Sequence, residues 1–204
     1  MVMKNSEFIP VKIDQFLNNQ DVSIIKDIIP VYNKNLQTQF KNFDIHKNGL
    51  HQYHIEEPEL YDIFTEAIEK QFNRKVKNLG LFFGRYLKVN GVNPELHPHL
   101  DNYNPGSFHG LTFTYILDSS MKWDVGVQEI LFDTNTNDFI IMSGSTHVHW
   151  RSKIVFADDD YYDIIVGHFT FEDSETDTVP ENFKEIMQIE RDKYWRFWDD
   201  SKQS

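Results

Sequence analysis

The sequence predicts a mainly β fold with flanking helices: a sandwich or barrel closed by helices at either end. Three observations carry this. Short apolar runs broken by turn residues fill the middle of the chain. A helical period precedes them and another follows. The 204 residues are 40% apolar and 15% aromatic, enough to bury a core.

The elements follow in order. Val22, Ile24, Ile25, Ile28 and Ile29 share a helix-like face that Pro30 ends. Residues 31 to 55 are polar and irregular. A clearer helix runs from about Glu57 to Arg74. Pro58 stands where a first-turn proline is tolerated, and Leu60, Ile63, Phe64, Ala67, Ile68 and Phe72 form the apolar stripe.

Strands are expected at Leu81 to Lys88, Gly110 to Leu117, Val127 to Phe132, Phe139 to Met142, His147 to Trp150, Lys153 to Phe156 and Tyr162 to Phe171. Turns fall at Asn93-Pro94, Asn104 to Gly106, Asp133 to Asp138, Ser143 to Ser145 and Asp158 to Asp160. A last helix, Pro180 to Asp199, carries Phe183, Ile186, Met187, Tyr194 and Phe197 at a helical period. It is read as packing on the sheet, or as a homodimer contact. The whole is expected to be one domain, 1–204: a helical part over 1–77, a barrel over 78–172 and the closing helix over 180–199.

Composition excludes several chemistries. There is no cysteine, so disulfides, thiolate-ligated zinc, iron–sulfur clusters and thiol nucleophiles are out. A metal must be held by histidine and carboxylate. The formal net charge of −12 leaves no basic face for a nucleic acid or an anionic membrane surface. No apolar run approaches the roughly 18 residues that span a bilayer, and Met1 to Pro10 lacks a signal-peptide core. A cytoplasmic protein with no membrane and no nucleic-acid partner is expected.

Nine histidines are present, and six lie between residues 97 and 168. His46, His51 and His54 are read as surface residues, and His109 and His168 as sheet histidines. His97-Pro98-His99-Leu100-Asp101 is the informative segment. On an extended chain residues i and i+2 face the same way, so His99 and Asp101 present an imidazole and a carboxylate together. That is two-thirds of a facial triad, which leaves three metal positions open. The second imidazole has to come from a distant strand. Phe139 to His149 offers one after an apolar strand and a Gly-containing turn, at His149 or, alternatively, His147.

These residues carry a resemblance. The segment from about Phe82 to Phe171 resembles the double-stranded β-helix of the Fe(II)/2-oxoglutarate dioxygenases, with a leaning to the prolyl-hydroxylase-like members. Gly84-Arg85-Tyr86, the loop through Gly91, His99-Leu100-Asp101, the strand Gly110 to Asp118 and the distal His match that group's order. The resemblance implies Fe(II) held by His99, Asp101 and His149, with 2-oxoglutarate as co-substrate. Its reaction would be oxidative decarboxylation coupled to hydroxylation of a peptide, an amino acid or a small metabolite.

One feature departs from the group. Its members place an Arg or Lys in the last barrel strand to pair with the far carboxylate of 2-oxoglutarate. Here Asp159 falls at that spacing, and Tyr161 to Phe171 holds no Arg or Lys. A buried carboxylate needs a charged partner. Arg85, Lys88, Arg151 and Lys153 are the candidates, with Tyr86, Tyr162 and His168 as added hydrogen-bond groups. Two rival readings stand beside this one. A cupin-like metal enzyme without 2-oxoglutarate would use His97, His99 and His147. A non-catalytic jelly-roll binding module would stack sugars on Trp123 and Trp150. Asn102 to His109 follows the first ligands and is read as part of a substrate rim.

Overall fold

Two long antiparallel strands form the spine of the protein. The structure is a computed structural model that describes residues 4–29, 44–45, 49–101, 110–174 and 178–200. Its strands are β1 (Val11–Ile13), β2 (Asp44–Ile45), β3 (Leu50–His54), β4 (Val76–Leu87), β5 (Leu111–Ser119), β6 (Val125–Val127), β7 (Ile130–Phe132), β8 (Phe139–Met142), β9 (His149–Arg151) and β10 (Tyr161–Phe171). Its helices are α1 (Asn19–Ile28), α2 (Pro58–Phe72) and α3 (Phe183–Asp200).

β10 lies between β4 and β5 in a seven-stranded antiparallel sheet of order β1-β8-β5-β10-β4-β3-β2. Facing it is a three-stranded sheet, β7-β6-β9. A bridge between His99 and His149 extends this smaller sheet, with reciprocal backbone hydrogen bonds of 3.1 and 2.9 Å. The two sheets make the double-stranded β-helix.

The pleat sorts side chains between two compartments. Along β4, Leu81 and Phe83 enter the large core with Ile25, Leu60, Phe64 and Ile68 of the helices. The intervening Phe82, Gly84 and Tyr86 face the other sheet. β5 and β8 are buried along nearly their whole length because helices cover one face and the small sheet the other. Burying Leu60, Phe64 and Ile68 contributes about 1.5–3 kcal/mol each, which holds α2 on the sheet. Between the sheets, Val125 and Val127 of β6 pack on Ile140 and Met142 of β8.

The first 77 residues are less helical than expected. α1 and α2 form where their apolar periods place them. β1, β2, β3 and the start of β4 also lie in this part. β1 pairs with β8 at one edge; toward the other, β3 pairs with β4 and the two-residue β2 pairs with β3. β1 is bonded along one side only, and β3 has just the two residues of β2 on its outer side, so Leu50–His54 tolerates polar residues and shows little apolar alternation. His51 and His54 are therefore strand residues, His51 half-buried and His54 exposed. His46 lies outside the described residues.

Two further expectations change. The run Val127 to Phe132 is a hairpin, β6 and β7, folded at Gln128 with φ +53°. Lys153 to Phe156 is irregular: Phe156 is buried, its backbone N–H bonded to the Asn93 side chain at 2.9 Å, while Val155 is exposed. No helix among the described residues is long and apolar enough to cross a membrane.

α3 covers the small sheet. Phe183, Tyr194 and Trp198 pack with Leu100, Val148 and Trp150. Of the apolar residues that the sequence offers for a dimer contact, Phe183, Met187 and Tyr194 pack on the chain's own small sheet. The Trp198 indole N–H donates to the Arg151 carbonyl at 3.0 Å, and its ring meets His97 at 4.4 Å. α3 in this way clamps the segment carrying His99 to the strand carrying His149.

Candidate metal centre

His99, Asp101 and His149 converge from two chain segments. One ligand atom from each lies within 4.8 Å of the others. The His99–His149 bridge sets the two imidazoles side by side, with ring centroids 4.2 Å apart. Asp101 is fixed by its backbone N–H, which donates to the Gly144 carbonyl at 2.8 Å.

Both imidazoles are oriented in the same manner. Nδ1 of His99 lies 2.8 Å from the His97 carbonyl, and Nδ1 of His149 lies 3.0 Å from the His147 carbonyl. A carbonyl only accepts, so each Nδ1 carries the hydrogen and each Nε2 keeps its lone pair. Nε2 of His149 is 3.4 Å from Asp101 Oδ1. Two imidazole nitrogens and one carboxylate oxygen suit Fe(II) and similar ions, and the His97 and His147 carbonyls fix the tautomers such a site needs.

Burial and the three groups themselves shift one another. Burial, with the neighbouring His149, pushes His99 down to about 4, so it is neutral at pH 7. Burial alone would raise Asp101, but the charges of His149, His168 and His99 outweigh it and hold the carboxyl well below its usual range. Burial lowers His149, yet the Asp101 carboxylate outweighs it and raises the imidazole.

Gly144 is the glycine the site requires. A Cβ there would stand 1.7 Å from Asp101 Oδ2 and 2.2 Å from the Thr112 hydroxyl. Only a residue without a side chain lets the carboxylate lie against this turn.

The three groups open into a cavity of about 190 Å³ between the sheets. Its lining includes Gln52, Tyr86, Thr112, Arg151, Ile164 and His168. Arg151 is 2% exposed. Its Nη1 donates to the Trp123 carbonyl at 3.0 Å, and its guanidinium carbon lies 4.6 Å from the Tyr162 ring centroid. Its Nη2 is buried with no hydrogen-bond partner among the described residues. Arg151 is thus a cation lining the cavity with one guanidinium nitrogen unanswered, the chemistry by which an arginine can hold an anion. Tyr86 lines the same wall, and burial raises its hydroxyl to about 12, so it remains a neutral donor. The Tyr162 hydroxyl bonds Thr134 at 2.5 Å, and its ring lies beneath the Arg151 guanidinium.

The other three cation candidates do not line this cavity. Arg85 points to the helix side of β4 and grips the buried Asp163 with two hydrogen bonds of 2.6 Å. Lys88 pairs with the exposed Asp158 at 2.8 Å. Lys153 sits 3.6 Å over the Trp198 ring at α3. His147 does not join the metal group either: its Nδ1 accepts the Ser143 backbone N–H at 3.2 Å. Burial, then His149, pushes it down to about 4.

Thr112 and Gly144 escape the sequence reading of the site, which offers His168 as a hydrogen-bond group but not as a neighbour of Asp101. Thr112 and His168, on β5 and β10, reach Asp101, and Gly144 cradles it. His168 follows Ile164 and Val166 at the inward parity of β10, which was the available signal. His109 and the segment Asn102 to His109 lie outside the described residues.

No family sequence model matches the chain, and no curated protein sequence matches it. Solved structures do. A Pseudomonas putida prolyl-4-hydroxylase superposes with TM-score 0.56 at 10% identity, covering 79% of this chain and 91% of that one. The viral collagen prolyl hydroxylase of Paramecium Bursaria Chlorella virus-1, in its 2-oxoglutarate complex, gives 0.55 at 11% identity, covering 81% and 97%. HygX from Streptomyces hygroscopicus, with nickel and 2-oxoglutarate bound, gives 0.52 at 9%, covering 79% and 82%. The chain has the double-stranded β-helix fold of the Fe(II)/2-oxoglutarate oxygenases.

Proposed function

We propose that this protein is an Fe(II)- and 2-oxoglutarate-dependent oxygenase that hydroxylates a peptide, an amino acid or a small metabolite. The observation that carries this reading is one cavity lined by both a His-Asp-His donor group and an unanswered buried arginine.

In this reading His99, Asp101 and His149 hold Fe(II). The metal supplies dioxygen chemistry, coupling decarboxylation of the 2-oxo acid to oxidation of substrate. The chain's residues bind and orient. Arg151 receives the far carboxylate of 2-oxoglutarate from β9, the role taken in the family by a last-strand cation. Tyr86 offers that carboxylate a hydroxyl, and Tyr162 supports the guanidinium from below. Ile164 and Val166 wall the cavity and limit water.

The rival readings fit less well. A cupin-like centre needs His97 and His147, but His97 packs on Trp198 and His147 bonds the turn at Ser143. A sugar-stacking module needs accessible indoles, but Trp123 and Trp150 are buried. The acidic surface and the absence of a long apolar helix among the described residues are in keeping with a cytoplasmic enzyme acting on a small or peptide substrate.

The test is succinate formation. Purified protein with Fe(II), ascorbate and 2-oxoglutarate in air is expected to release succinate slowly even without substrate. Release that continues unchanged after Asp101→Ala would contradict the assignment.

A further inference from the structure

The two oxygens of Asp101 are not equivalent. Oδ1 faces Nε2 of His149 at 3.4 Å. Oδ2 accepts a hydrogen bond from the Thr112 hydroxyl at 2.5 Å and abuts Gly144. On its other side, the same hydroxyl oxygen lies 3.0 Å from Nδ1 of His168. A hydroxyl has one proton to give and an ionised carboxylate has none. The Thr112 proton therefore goes to Asp101, and the Thr112 oxygen accepts from Nδ1–H of His168. Donation runs one way, from His168 through Thr112 to Asp101. Thr112 and His168 stand on β5 and β10, adjacent strands at the centre of the seven-stranded sheet.

Resting on the reading of His99, Asp101 and His149 as a metal site, we infer that Thr112 is a positioning residue that reserves Oδ2 and leaves Oδ1 as the single carboxylate donor, with His168 setting the direction of its hydroxyl. The consequence is coordination number. Two imidazoles and one carboxylate oxygen leave three of six positions open; a carboxylate using both oxygens leaves two. A 2-oxo acid and dioxygen together need three. Thr112 thus protects the position that a loosened carboxylate would close.

Co(II) serves as the probe, because its affinity and visible spectrum both report coordination. Metal-free wild type, Thr112→Val, Thr112→Ser and His168→Phe are titrated with Co(II) by calorimetry and absorption. Thr112→Val is expected to lose about 10–100-fold in Co(II) affinity, the usual cost of a missing outer partner, and to change the spectrum. Thr112→Ser is expected to restore both. His168→Phe is expected to shift both in the same direction by less. Thr112→Val binding within twofold of wild type, with an unchanged spectrum, overturns the inference. If circular dichroism shows that Thr112→Val fails to fold, His168→Phe decides: an unchanged affinity and spectrum there overturns it. Wild type that binds no Co(II) overturns the metal site itself, a failure seen before any variant is compared.

Discussion

His149 and Arg151 occupy one face of β9, two residues apart, and both line the cavity that holds Asp101. A three-residue strand therefore supplies an imidazole of the candidate metal group and a buried cation of the same cavity. Both depend on the same local pairing: β9 bonds β6 on one side and His99 on the other.

The two buried arginines are expected to behave oppositely. Arg151→Met removes a cation with no carboxylate partner among the described residues. It should weaken 2-oxoglutarate binding roughly 10–150-fold, the value of about 1.5–3 kcal/mol for hydrogen bonds to a charged group. Arg85→Met strands the buried Asp163 and should cost about 3–5 kcal/mol of stability. Urea unfolding and 2-oxoglutarate titration on both variants check this. Equal losses of affinity would contradict the assignment of Arg151.

His149→Ala should abolish measurable Fe(II) binding under conditions where His147→Ala retains it. His149 donates Nε2 beside Asp101, whereas Nδ1 of His147 is engaged by the turn at Ser143. Anaerobic Fe(II) titration distinguishes the two, and the reverse order would place the ligand wrongly.

Gly144→Ala should displace Asp101, since the new Cβ meets its Oδ2 at 1.7 Å. Loss of Fe(II) binding with the far-ultraviolet circular dichroism spectrum retained is expected. A variant that binds Fe(II) as wild type does would show that the carboxylate has another seat.

His51 makes the metal-free protein sensitive to acid. Burial, then the Arg85 charge, lowers its pKa below the ordinary 6.5. A base lowered by folding binds fewer protons in the native state. Its contribution is therefore complete above about pH 6.5 and declines as the pH falls below that, by at most about 1.4 kcal/mol per pH unit. Between pH 7.5 and 5.5, wild type should lose more stability by urea unfolding than His51→Gln. His99, His147 and His168 are common to both proteins, so the difference isolates His51. Equal losses would contradict it.

Much of this architecture was legible because two periods carry it. Ile25, Leu60, Phe64 and Ile68 announce the helices, and the parity of His99 and Asp101 announces their shared face. Parity also separates Arg85 from Tyr86 on β4 and joins Arg151 to His149 on β9. It could not exclude Lys153, two residues further on, because the sequence does not show that β9 ends at Arg151. The strands β1 and β3 were not legible: three to five residues at the sheet edge or next to it leave almost no pattern. The contacts of Thr112, His168 and Gly144 with Asp101 were hidden for a different reason. They arise across strands far apart in sequence, and no local spacing records them.

The central claim is that one cavity holds both a metal and the far carboxylate of a 2-oxo acid. The most direct measurement is an anaerobic titration of Fe(II)-loaded protein with 2-oxoglutarate and with 2-oxobutyrate, which lacks that carboxylate, following the visible charge-transfer band of the chelated acid. Wild type should show a saturable band and prefer 2-oxoglutarate by tenfold or more, and Arg151→Met should bind the two acids about equally. Absence of the band in iron-loaded wild type, or a preference that survives in Arg151→Met, would contradict the account.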